Sequence, residues 1–256
     1  MAIITLTTDF GLKDHYVSAI KGAILSEMPQ VTIVDISHQV EKYNILDASF
    51  IIRESYLNFP KGTVHIIGIN TEYSASGGYV AIEQNGHFFI GTDNGIFSLL
   101  FDETPKVIRE IQIGSGQKLS FPTRDIFAKA ACFLAQGNEI ENIGAPKENL
   151  VQRIPFRATS VGDNIRGSFV YIDSYGNVTT NIDRKLFDQV GKGRPFIIEL
   201  ARNTIQKISK EYSDVPEGEV LALFNSSDLL EIAMRMGKAG GMLNLKLNDS
   251  ITIRFQ

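Results

Sequence analysis

The chain has few of the residues that build covalent or metal-centred sites. One Cys among 256 residues excludes a disulfide framework and any cysteine-based metal cluster within one chain. No apolar run approaches the roughly 20 residues that a membrane helix needs, and the first residues, MAIITLTTDF, lack the basic start of a signal peptide. A net charge of -4 argues against a nucleic-acid-binding protein. We therefore expect a cytoplasmic protein with neither nucleic acid nor membrane as a partner.

The motifs of the common nucleotide and metal enzymes are also missing. The sequence has no G-x-x-x-x-G-K-[ST] phosphate loop, no G-x-G-x-x-G after the first predicted strand and no H-E-x-x-H. Its four His residues have no metal-ligand spacing, and Cys132 lies in an apolar helical pattern that is typical of a buried thiol. We therefore predict no bound metal and no dinucleotide cofactor.

Residues 1–145 alternate between strand and helix patterns, which predicts an α/β domain with a mostly parallel sheet. Ile3–Thr7 has the apolar, β-branched composition of a buried strand, and Ile126–Leu134 has the pattern of a helix. Asn85-Gly86, between two short apolar runs, predicts a β-hairpin.

The pattern changes in the second half of the chain. Residues 146–165 contain two prolines and are predicted to be a linker. Residues 166–256 show successive strand patterns, Met242–Leu247 among them, without long helices between them. Shorter helices are predicted at 183–190 and 227–236. This half is therefore expected to be a smaller β-rich domain, either a barrel or a sandwich.

Asp9 directly follows the first predicted strand. Ligands of open α/β sheets bind outside the carboxyl ends of the strands. A carboxylate at that place can accept hydrogen bonds from both vicinal hydroxyls of a ribose. An Asp that caps a turn explains the position equally well, so both interpretations stay open.

Two polar segments in the second half carry similar signals. Asp173-Ser174-Tyr175-Gly176-Asn177 ends a strand, where Gly176 permits a tight turn and Asn177 can read the edge of a planar heterocycle. Asn225-Ser226-Ser227-Asp228 predicts the N-cap of a helix over 229–233, whose free N–H groups can hold a carboxylate. Turn chemistry and capping alone explain these two segments at least as well.

Taken together, these segments give the chain a family resemblance. It resembles the S-adenosylmethionine hydroxide adenosyltransferases and the related fluorinases and chlorinases. The matching segments run in family order over nearly the whole chain. They are Thr8-Asp9-Phe10-Gly11, Asp14-His15-Tyr16-Val17, Lys21-Gly22, Asp35-Ile36-Ser37-His38, Phe59 to His65, Asp93-Asn94-Gly95, Arg124 to Ala128, Asp173 to Asn177, Thr180-Asn181-Ile182, Asn225-Ser226 and Leu230 to Ala233.

The resemblance implies a role for individual residues. Asp9 would hold the ribose hydroxyls, and Tyr43 would lie beside the nucleoside. Asp173 would pair with the methionine ammonium, Asn177 would meet the adenine edge, and Ser226 would meet the methionine carboxylate.

The resemblance also implies an architecture and a reaction. It predicts an α/β domain followed by a β-barrel-like domain, a homotrimer, and a ligand held between the N-terminal domain of one subunit and the C-terminal domain of its neighbour. Asn94 and Glu231 lie in matching segments and are predicted to contribute to ligand binding. Water or halide would attack the ribose 5′ carbon, and methionine would leave. No cofactor is expected beyond S-adenosylmethionine itself.

The sequence departs from the family hydrolases where the water is handled. Those hydrolases carry V-D-P-G-V-G and an Arg after the third strand, and later F-H-G-R-D. In this chain Asn70 stands at the Asp position, a Gly stands near the Arg position, and Pro122 stands at the His position. An amide can orient a water but cannot take its proton. Asn70, Tyr73 and Thr123 are therefore the candidates for the catalytic role, and fluorinating relatives carry a Ser at the position of Thr123.

Three hypotheses follow from these residues. The protein hydrolyses S-adenosylmethionine to adenosine and methionine through a rearranged water site. Alternatively, it binds S-adenosylmethionine or adenosine without turnover. In the third hypothesis it transfers the adenosyl group to another nucleophile such as halide.

Overall fold

The computed structural model describes residues 2–73, 77–114, 120–154, 157–200 and 203–256. The chain divides into two compact units, Met1–Ile154 and Pro155–Gln256. Within the described ranges, none of the helices is both long enough and apolar enough to span a membrane.

The described part of the first unit contains one sheet and four α-helices, in an order that begins with strand–helix alternation. The elements are β1 (Ile3–Thr8), α1 (Tyr16–Glu27), β2 (Thr32–Ser37), α2 (Ile45–Tyr56), β3 (Val64–Gly68), β4 (Tyr79–Gln84), β5 (His87–Thr92), α3 (Ile96–Leu100), β6 (Val107–Ile111), α4 (Ala128–Ala135) and β7 (Gly144–Pro146). A π-helical turn, Thr123–Phe127, leads directly into α4.

The sheet of the first unit is mixed, with the strand order β2-β1-β3-β5-β4-β6-β7. The pairs β1–β2, β1–β3 and β3–β5 are parallel, whereas β4–β5, β4–β6 and β6–β7 are antiparallel. The expectation of a mostly parallel sheet is therefore not confirmed. The reason is the predicted hairpin at Asn85-Gly86: a two-residue turn can only join antiparallel strands, and a parallel connection needs a dozen residues or more.

Helices cover both faces of this sheet, because the strand side chains alternate. Ile66 of β3 packs into a core with α1 and α4, and Ile67, its neighbour, packs into a second core with α2 and α3. Both side chains are almost completely buried. β1 and β3 are thus buried along almost their whole length, whereas β2 is only partly buried. The candidate site lies at the carboxyl ends of these three strands.

The second unit is built mainly from short strands. The elements are β8 (Thr159–Val161), β9 (Asn164–Ile172), β10 (Val178–Asp183), α5 (Arg184–Gly191), β11 (Phe196–Glu199), β12 (Thr204–Ile205), β13 (Ile208–Ser209), β14 (Val220–Phe224), β15 (Leu229–Met234), α6 (Ala239–Met242) and β16 (Ser250–Phe255).

These strands form one sheet that is nearly barrel-shaped, with the order β12-β11-β16-β9-β10-β15-β14-β13 and β8 beside β9. Where the structure describes this unit, its strand pairs are antiparallel except β13–β14. β12, at one end of the path, packs against β14, near the other end. Strand β8 and the start of β9 lie within residues 146–165, which the sequence predicts to be a linker. Residues 155–156 of that stretch lie outside the described residues.

Two predictions for the second unit are wrong. Residues 227–236 were expected to be helical, but Leu229–Met234 is a strand because it pairs on one side with β14 and on the other with β10. Met242–Leu247 was expected to be a strand, but a short helix, α6, ends at Met242. Apolar runs of this length fit either element, and the pairing partners decide between them.

Candidate active site

Asp9 lies directly beyond β1 and is buried, with 8% of its surface exposed. Its Oδ2 atom accepts a hydrogen bond from the backbone N–H of Tyr43 at 2.9 Å. Tyr43 has a φ of +64° and an exposed side chain. Two residues after Asp9, Gly11 donates its backbone N–H to the carbonyl of His38 at 2.7 Å. The loop that carries Asp9 is thereby tied to the segment between β2 and α2.

Thr8 and Thr123 converge on Gly68, the last residue of β3. A Cβ atom at Gly68 would lie 3.1 Å from the Thr8 methyl group and 3.1 Å from both Oγ1 and Cγ2 of Thr123. Position 68 therefore has little room for a side chain, and the ends of β1 and β3 meet the start of the π-helical turn there. π-Helical turns inside α-helices are frequent at functional sites.

The Thr123 hydroxyl is fully buried, at 0% exposure, and Oγ1 has no hydrogen-bond partner among the described residues. A buried hydroxyl without a partner is costly, because its desolvation is not compensated. Thr123 opens the π-helical turn, and its carbonyl accepts from the N–H of Ala128 five residues later. This hydroxyl is therefore available to a ligand, a water or a small anion.

Asn94 uses its side chain to hold the backbone that follows β3. Its Nδ2 donates to the carbonyls of Ile69 and Asn70, both at 3.1 Å, and its Oδ1 accepts from the N–H of Ile96 at 3.2 Å. Asn70 has a φ of +45°, a left-handed conformation that Asn tolerates better than most residues. The structure thus makes Asn94 the support of the Asn70 backbone.

Tyr73 is partly exposed and packs edge-on against the buried Tyr79, with 5.3 Å between the ring centroids. Burial, with Tyr73 nearby, raises the pKa of Tyr79 to about 12. The Tyr79 hydroxyl donates to the carbonyl of Thr71 at 3.3 Å. Residues 74–76, which belong to the segment that departs from the family hydrolases, lie outside the described residues.

A chain of polar side chains runs from Thr8 toward the surface. Thr8 Oγ1 lies 2.8 Å from His38 Nδ1, and His38 Nε2 lies 3.0 Å from Asp35 Oδ1. The other Asp35 oxygen accepts from Lys21 Nζ at 2.6 Å. Burial alone would raise the pKa of Asp35, but the hydrogen bonds from Lys21 and His38 outweigh it and hold that pKa below its usual range. Asp35 is therefore a carboxylate that pairs with both groups.

In the second unit, Asp173 and Asn177 close a turn between β9 and β10. Asp173 Oδ1 accepts from the backbone N–H of Asn177 at 2.8 Å, and Oδ2 accepts from its Nδ2 at 3.1 Å. Gly176 has a φ of +82°, and a Cβ atom there would lie 2.7 Å from the Cβ of Lys238. Only Gly fits this position, and the turn fixes the Asp173 carboxylate beside Asn177.

Glu231, on β15, is buried and bonded through both oxygens. Oε1 accepts from the Tyr212 hydroxyl at 2.8 Å, and Oε2 accepts from Asn225 Nδ2 at 3.4 Å. Burial raises the pKa of Glu231 despite these two bonds, and the charge of Asp173 adds to the rise. Burial and the bond to Glu231 likewise raise the pKa of Tyr212 to about 12. The two carboxylates, Glu231 and Asp173, are thus close enough to interact.

Ser226 is exposed in the turn between β14 and β15, not at a helix start. Asn225 Oδ1 accepts from the N–H groups of Ser227 and Leu229, at 3.0 and 3.2 Å. Asp228 has a φ of +55°, which reverses the chain into β15. The helix start that was predicted to hold a carboxylate with its free N–H groups is therefore absent at this turn, although the turn keeps Ser226 accessible.

The structure brings Asp9 and Tyr43 together in the first unit, and Asp173 and Asn177 in the second. Sequence reasoning missed the links of His38 to Thr8 and of Tyr212 to Glu231. The first link had a signal: His38 directly follows β2, which pairs with β1, so the strand-end argument applied to Asp9 also applies there. The second link had no sequence signal, because the bond from Tyr212 to Glu231 depends on how distant strands pair.

Two family models match this chain. The SAM hydroxide adenosyltransferase N-terminal domain matches residues 4–144, and the SAM hydroxide adenosyltransferase C-terminal domain matches residues 167–252. Together the two matches cover most of the chain, and they fall on the two units described above.

Curated relatives match over nearly their whole length. The (R)-S-adenosyl-L-methionine hydrolase of Methanocaldococcus jannaschii is 28% identical over 98% of this chain and 95% of its own. The fluorinase of Actinopolyspora mzabensis is 23% identical over 98% of this chain and 96% of its own. A solved structure of an uncharacterised conserved protein from Thermotoga maritima is 29% identical, covers 99% of this chain and 100% of its own, and superposes with a TM-score of 0.89.

Proposed function

Because the chain belongs to the SAM hydroxide adenosyltransferase family, we propose that it binds S-adenosylmethionine and hydrolyses it to adenosine and L-methionine. Relatives of nearly equal length from Methanocaldococcus jannaschii and Thermus thermophilus are named (R)-S-adenosyl-L-methionine hydrolase, which supports this proposal. The reaction as proposed uses no metal and no further cofactor.

The ligand roles follow the family resemblance. Asp9 accepts from the ribose hydroxyls beside Tyr43. Asp173 takes the methionine ammonium, Asn177 meets the adenine edge, and Ser226 meets the methionine carboxylate. The proposal includes a homotrimer in which the N-terminal unit of one subunit and the C-terminal unit of a neighbour share the ligand.

Asn94 and Glu231 enter the proposal as supports rather than direct contacts. The Asn94 amide donates to the backbone after β3, and both Glu231 oxygens accept hydrogen bonds, from Tyr212 and Asn225. Asn94 would hold Asn70 in place, and Glu231 would hold the turn that carries Ser226. A buried carboxylate near Asp173 also adds negative charge where a cationic ligand would bind.

The chemistry asks little of the protein, because the sulfonium is already a good leaving group. Water attacks the ribose 5′ carbon, the carbon–sulfur bond breaks, and its electron pair stays on the sulfur of methionine. Alignment of the water and removal of its solvent are then the main contributions. Asn70 and Tyr73 are candidates for orienting this water.

The observation that carries the proposal is the buried Thr123 hydroxyl without a partner among the described residues. The Thr123 side chain approaches Gly68 at the end of β3, where the Thr8 methyl group also lies, and Asp9 directly follows Thr8 in the chain. A nucleophilic water held there would satisfy this hydroxyl. The same feature also fits a small anion, so adenosyl transfer to halide is the second candidate, and fluorinases are among the relatives.

The test is incubation with S-adenosylmethionine in water enriched in ¹⁸O, followed by chromatography and mass spectrometry. We expect adenosine with one ¹⁸O at the 5′ hydroxyl, together with unlabelled methionine. A parallel incubation with chloride or fluoride distinguishes the second candidate, which predicts 5′-halo-5′-deoxyadenosine. Release of methionine without labelled adenosine, or no product above the spontaneous rate, would contradict hydrolysis.

A further inference from the structure

The family's usual proton-handling residues are absent from their places in this chain, yet a polar path leads away from the candidate water site. Thr8, at the carboxyl end of β1, is completely buried, and His38 is 4% exposed. The side chains of Asp35 and Lys21, at the other end of the path, are each about one third exposed, at 38% and 34%. The path therefore connects a buried hydroxyl with solvent.

The charge of Asp35 sets the direction of this path. His38 Nε2 lies 3.0 Å from Asp35 Oδ1, without the geometry of a hydrogen bond. A lone pair on Nε2 would be repelled by the carboxylate at this distance, so the hydrogen of the neutral imidazole belongs on Nε2. His38 Nδ1 is then the unprotonated nitrogen and accepts the Thr8 hydroxyl hydrogen over 2.8 Å. The lone pairs of Thr8 Oγ1 are left to accept from a further donor.

The location of Thr8 ties this path to the reaction. Its methyl group and the Thr123 hydroxyl approach the same point above Gly68, and Asp9 is the next residue along the chain. A water that bonds to Thr123 thus lies beside Thr8. The titratable groups that face His38 are Asp35 from β2 and, through that carboxylate, Lys21 from α1. β1 contributes the neutral hydroxyl of Thr8 and, one residue on, Asp9.

We propose that Thr8, His38 and Asp35 form the proton relay for the hydrolysis, which rests on the proposed function. As the water oxygen bonds to the 5′ carbon and the carbon–sulfur bond breaks, the surplus proton of the new hydroxyl passes to Thr8 Oγ1. The Thr8 proton passes at the same time to His38 Nδ1. The imidazolium, protonated at both nitrogens, is stabilised by Asp35. After product release its Nδ1 proton returns through Thr8 to a new water, which restores the starting tautomer.

Of these three residues only Thr8 contacts the reacting water. His38 acts through Thr8 as the proton acceptor, and Asp35 is a positioning residue that orients and stabilises His38. General base catalysis of this kind contributes about 10²- to 10⁴-fold to a rate. Replacement of His38 should therefore lower kcat by a factor in that range while ligand affinity is kept.

The first test measures kcat, KM and the pH profile of wild type and His38→Asn. The Asn Oδ1 atom can still accept from Thr8, but it cannot take the proton. We expect kcat to fall by about 10²-fold or more, KM to stay within about twofold, and the acidic limb of the kcat profile to disappear. In Asp35→Asn that limb should move to lower pH, because the imidazolium loses its partner.

Thr8 provides a matched pair of variants. Thr8→Val removes the hydroxyl at constant shape and should lose the rate as His38→Asn does. Thr8→Ser keeps the hydroxyl and should recover most of that rate. Equal rates for the Val and Ser variants, or a His38→Asn enzyme with wild-type kcat and pH profile, would overturn the relay.

A spectroscopic measurement covers the case in which His38→Asn fails to fold. The ¹⁵N shifts of His38 in the wild-type protein should report a protonated Nε2 and an unprotonated Nδ1 at neutral pH. The reverse assignment would overturn the relay. A wild-type protein that yields no ¹⁸O-labelled adenosine would overturn the proposed function and the relay with it, whereas labelled product with an unaffected His38→Asn variant would overturn the relay alone.

Discussion

The Oδ2 atom of Asp9 accepts the backbone N–H of Tyr43 at 2.9 Å, so the end of β1 is fastened to the residue that precedes the N-cap of α2. This bond occupies one of the two carboxylate oxygens and fixes the plane of the carboxyl group. The Tyr43 side chain, 69% exposed, projects beside it. A nucleoside over this pair would meet a preoriented carboxylate and an aromatic ring.

Asp9→Asn tests the ribose contact, since the amide oxygen can keep the Tyr43 bond while the carboxylate is lost. With its one oxygen bonded to Tyr43, the amide presents an NH₂ donor where the carboxylate has a second acceptor oxygen, and the loss of a charge-assisted hydrogen bond costs about 1.5–3 kcal/mol. We expect the Kd for S-adenosylmethionine, measured by calorimetry, to rise about 10- to 100-fold. Asp102→Asn, at an exposed carboxylate of the same unit, is the control and should bind as wild type does. Wild-type affinity in Asp9→Asn would remove Asp9 from the site.

Thr123→Val should change stability and activity in opposite directions. Replacement of a buried hydroxyl that has no partner among the described residues by a methyl group of the same shape removes an uncompensated desolvation cost of about 1–3 kcal/mol. We expect a higher Tm by calorimetry and a lower kcat, because the water loses its anchor. Thr123→Ser should keep both values near wild type. A lower Tm in Thr123→Val would mean that the hydroxyl already bonds within the folded protein.

Elements whose signals are local could be predicted from the sequence. The hairpin at Asn85-Gly86 is confirmed, because both residues adopt the positive φ that this turn requires. The helix expected over 183–190 is also confirmed, where Asp183 accepts from the N–H of Leu186 as an N-cap. In both cases the residues that make the turn or the cap are neighbours in the chain.

Features that depend on distant partners could not be predicted. Leu229–Met234 is apolar enough for helix or strand, and pairing with β10 and β14 decides it. Whether the later strands of the first sheet pair in parallel or antiparallel depends on where the β4–β5 hairpin joins that sheet. For the candidate site, single residues at strand ends were predictable, whereas the links of His38 to Thr8 and of Tyr212 to Glu231 form only after the strands assemble. The ligand contacts of these residues stay predictions.

Tyr212→Phe probes the buried Glu231. The ring is kept, but Oε1 loses its donor at 2.8 Å while Oε2 keeps the bond from Asn225. A buried acceptor left without a partner costs about 1–3 kcal/mol. Burial already raises the pKa of Glu231, and loss of the donor raises it further. A raised pKa means that the folded state binds the Glu231 proton more tightly than the unfolded chain does. The stability loss of the variant should therefore grow as the pH rises through that pKa, and shrink as the pH falls toward the ordinary Glu pKa.

The measurement for Tyr212→Phe is urea unfolding between pH 5 and pH 8, with Tyr175→Phe as the control. Tyr175 is a largely exposed tyrosine of the same unit, so its variant should match wild type at every pH. A stability loss in Tyr212→Phe that is independent of pH would show that the Tyr212 bond does not affect the ionisation of Glu231.

The buried His pair on the α2 side of the sheet should make the fold sensitive to acid. His65 Nδ1 lies 2.7 Å from Thr5 Oγ1, and His65 Nε2 lies 3.2 Å from His87 Nδ1. Burial, with His87 as a second cause, lowers the pKa of His65 to about 3. The unfolded chain binds this proton below about pH 6.5, whereas the folded protein does not. Stability is therefore lost as the pH falls from about 6.5 toward 3, with about 2 kcal/mol from His65 by pH 5.

His65→Gln keeps an acceptor for Thr5 but has no proton to gain in this range. We expect its free energy of unfolding, measured by urea titration, to change less between pH 7 and pH 5 than that of wild type, by about the 2 kcal/mol that His65 contributes. His15→Gln, at an exposed His, should keep the wild-type pH dependence. If His65→Gln loses as much stability as wild type over this interval, the acid sensitivity arises from other titratable groups and not from the buried neutral His65.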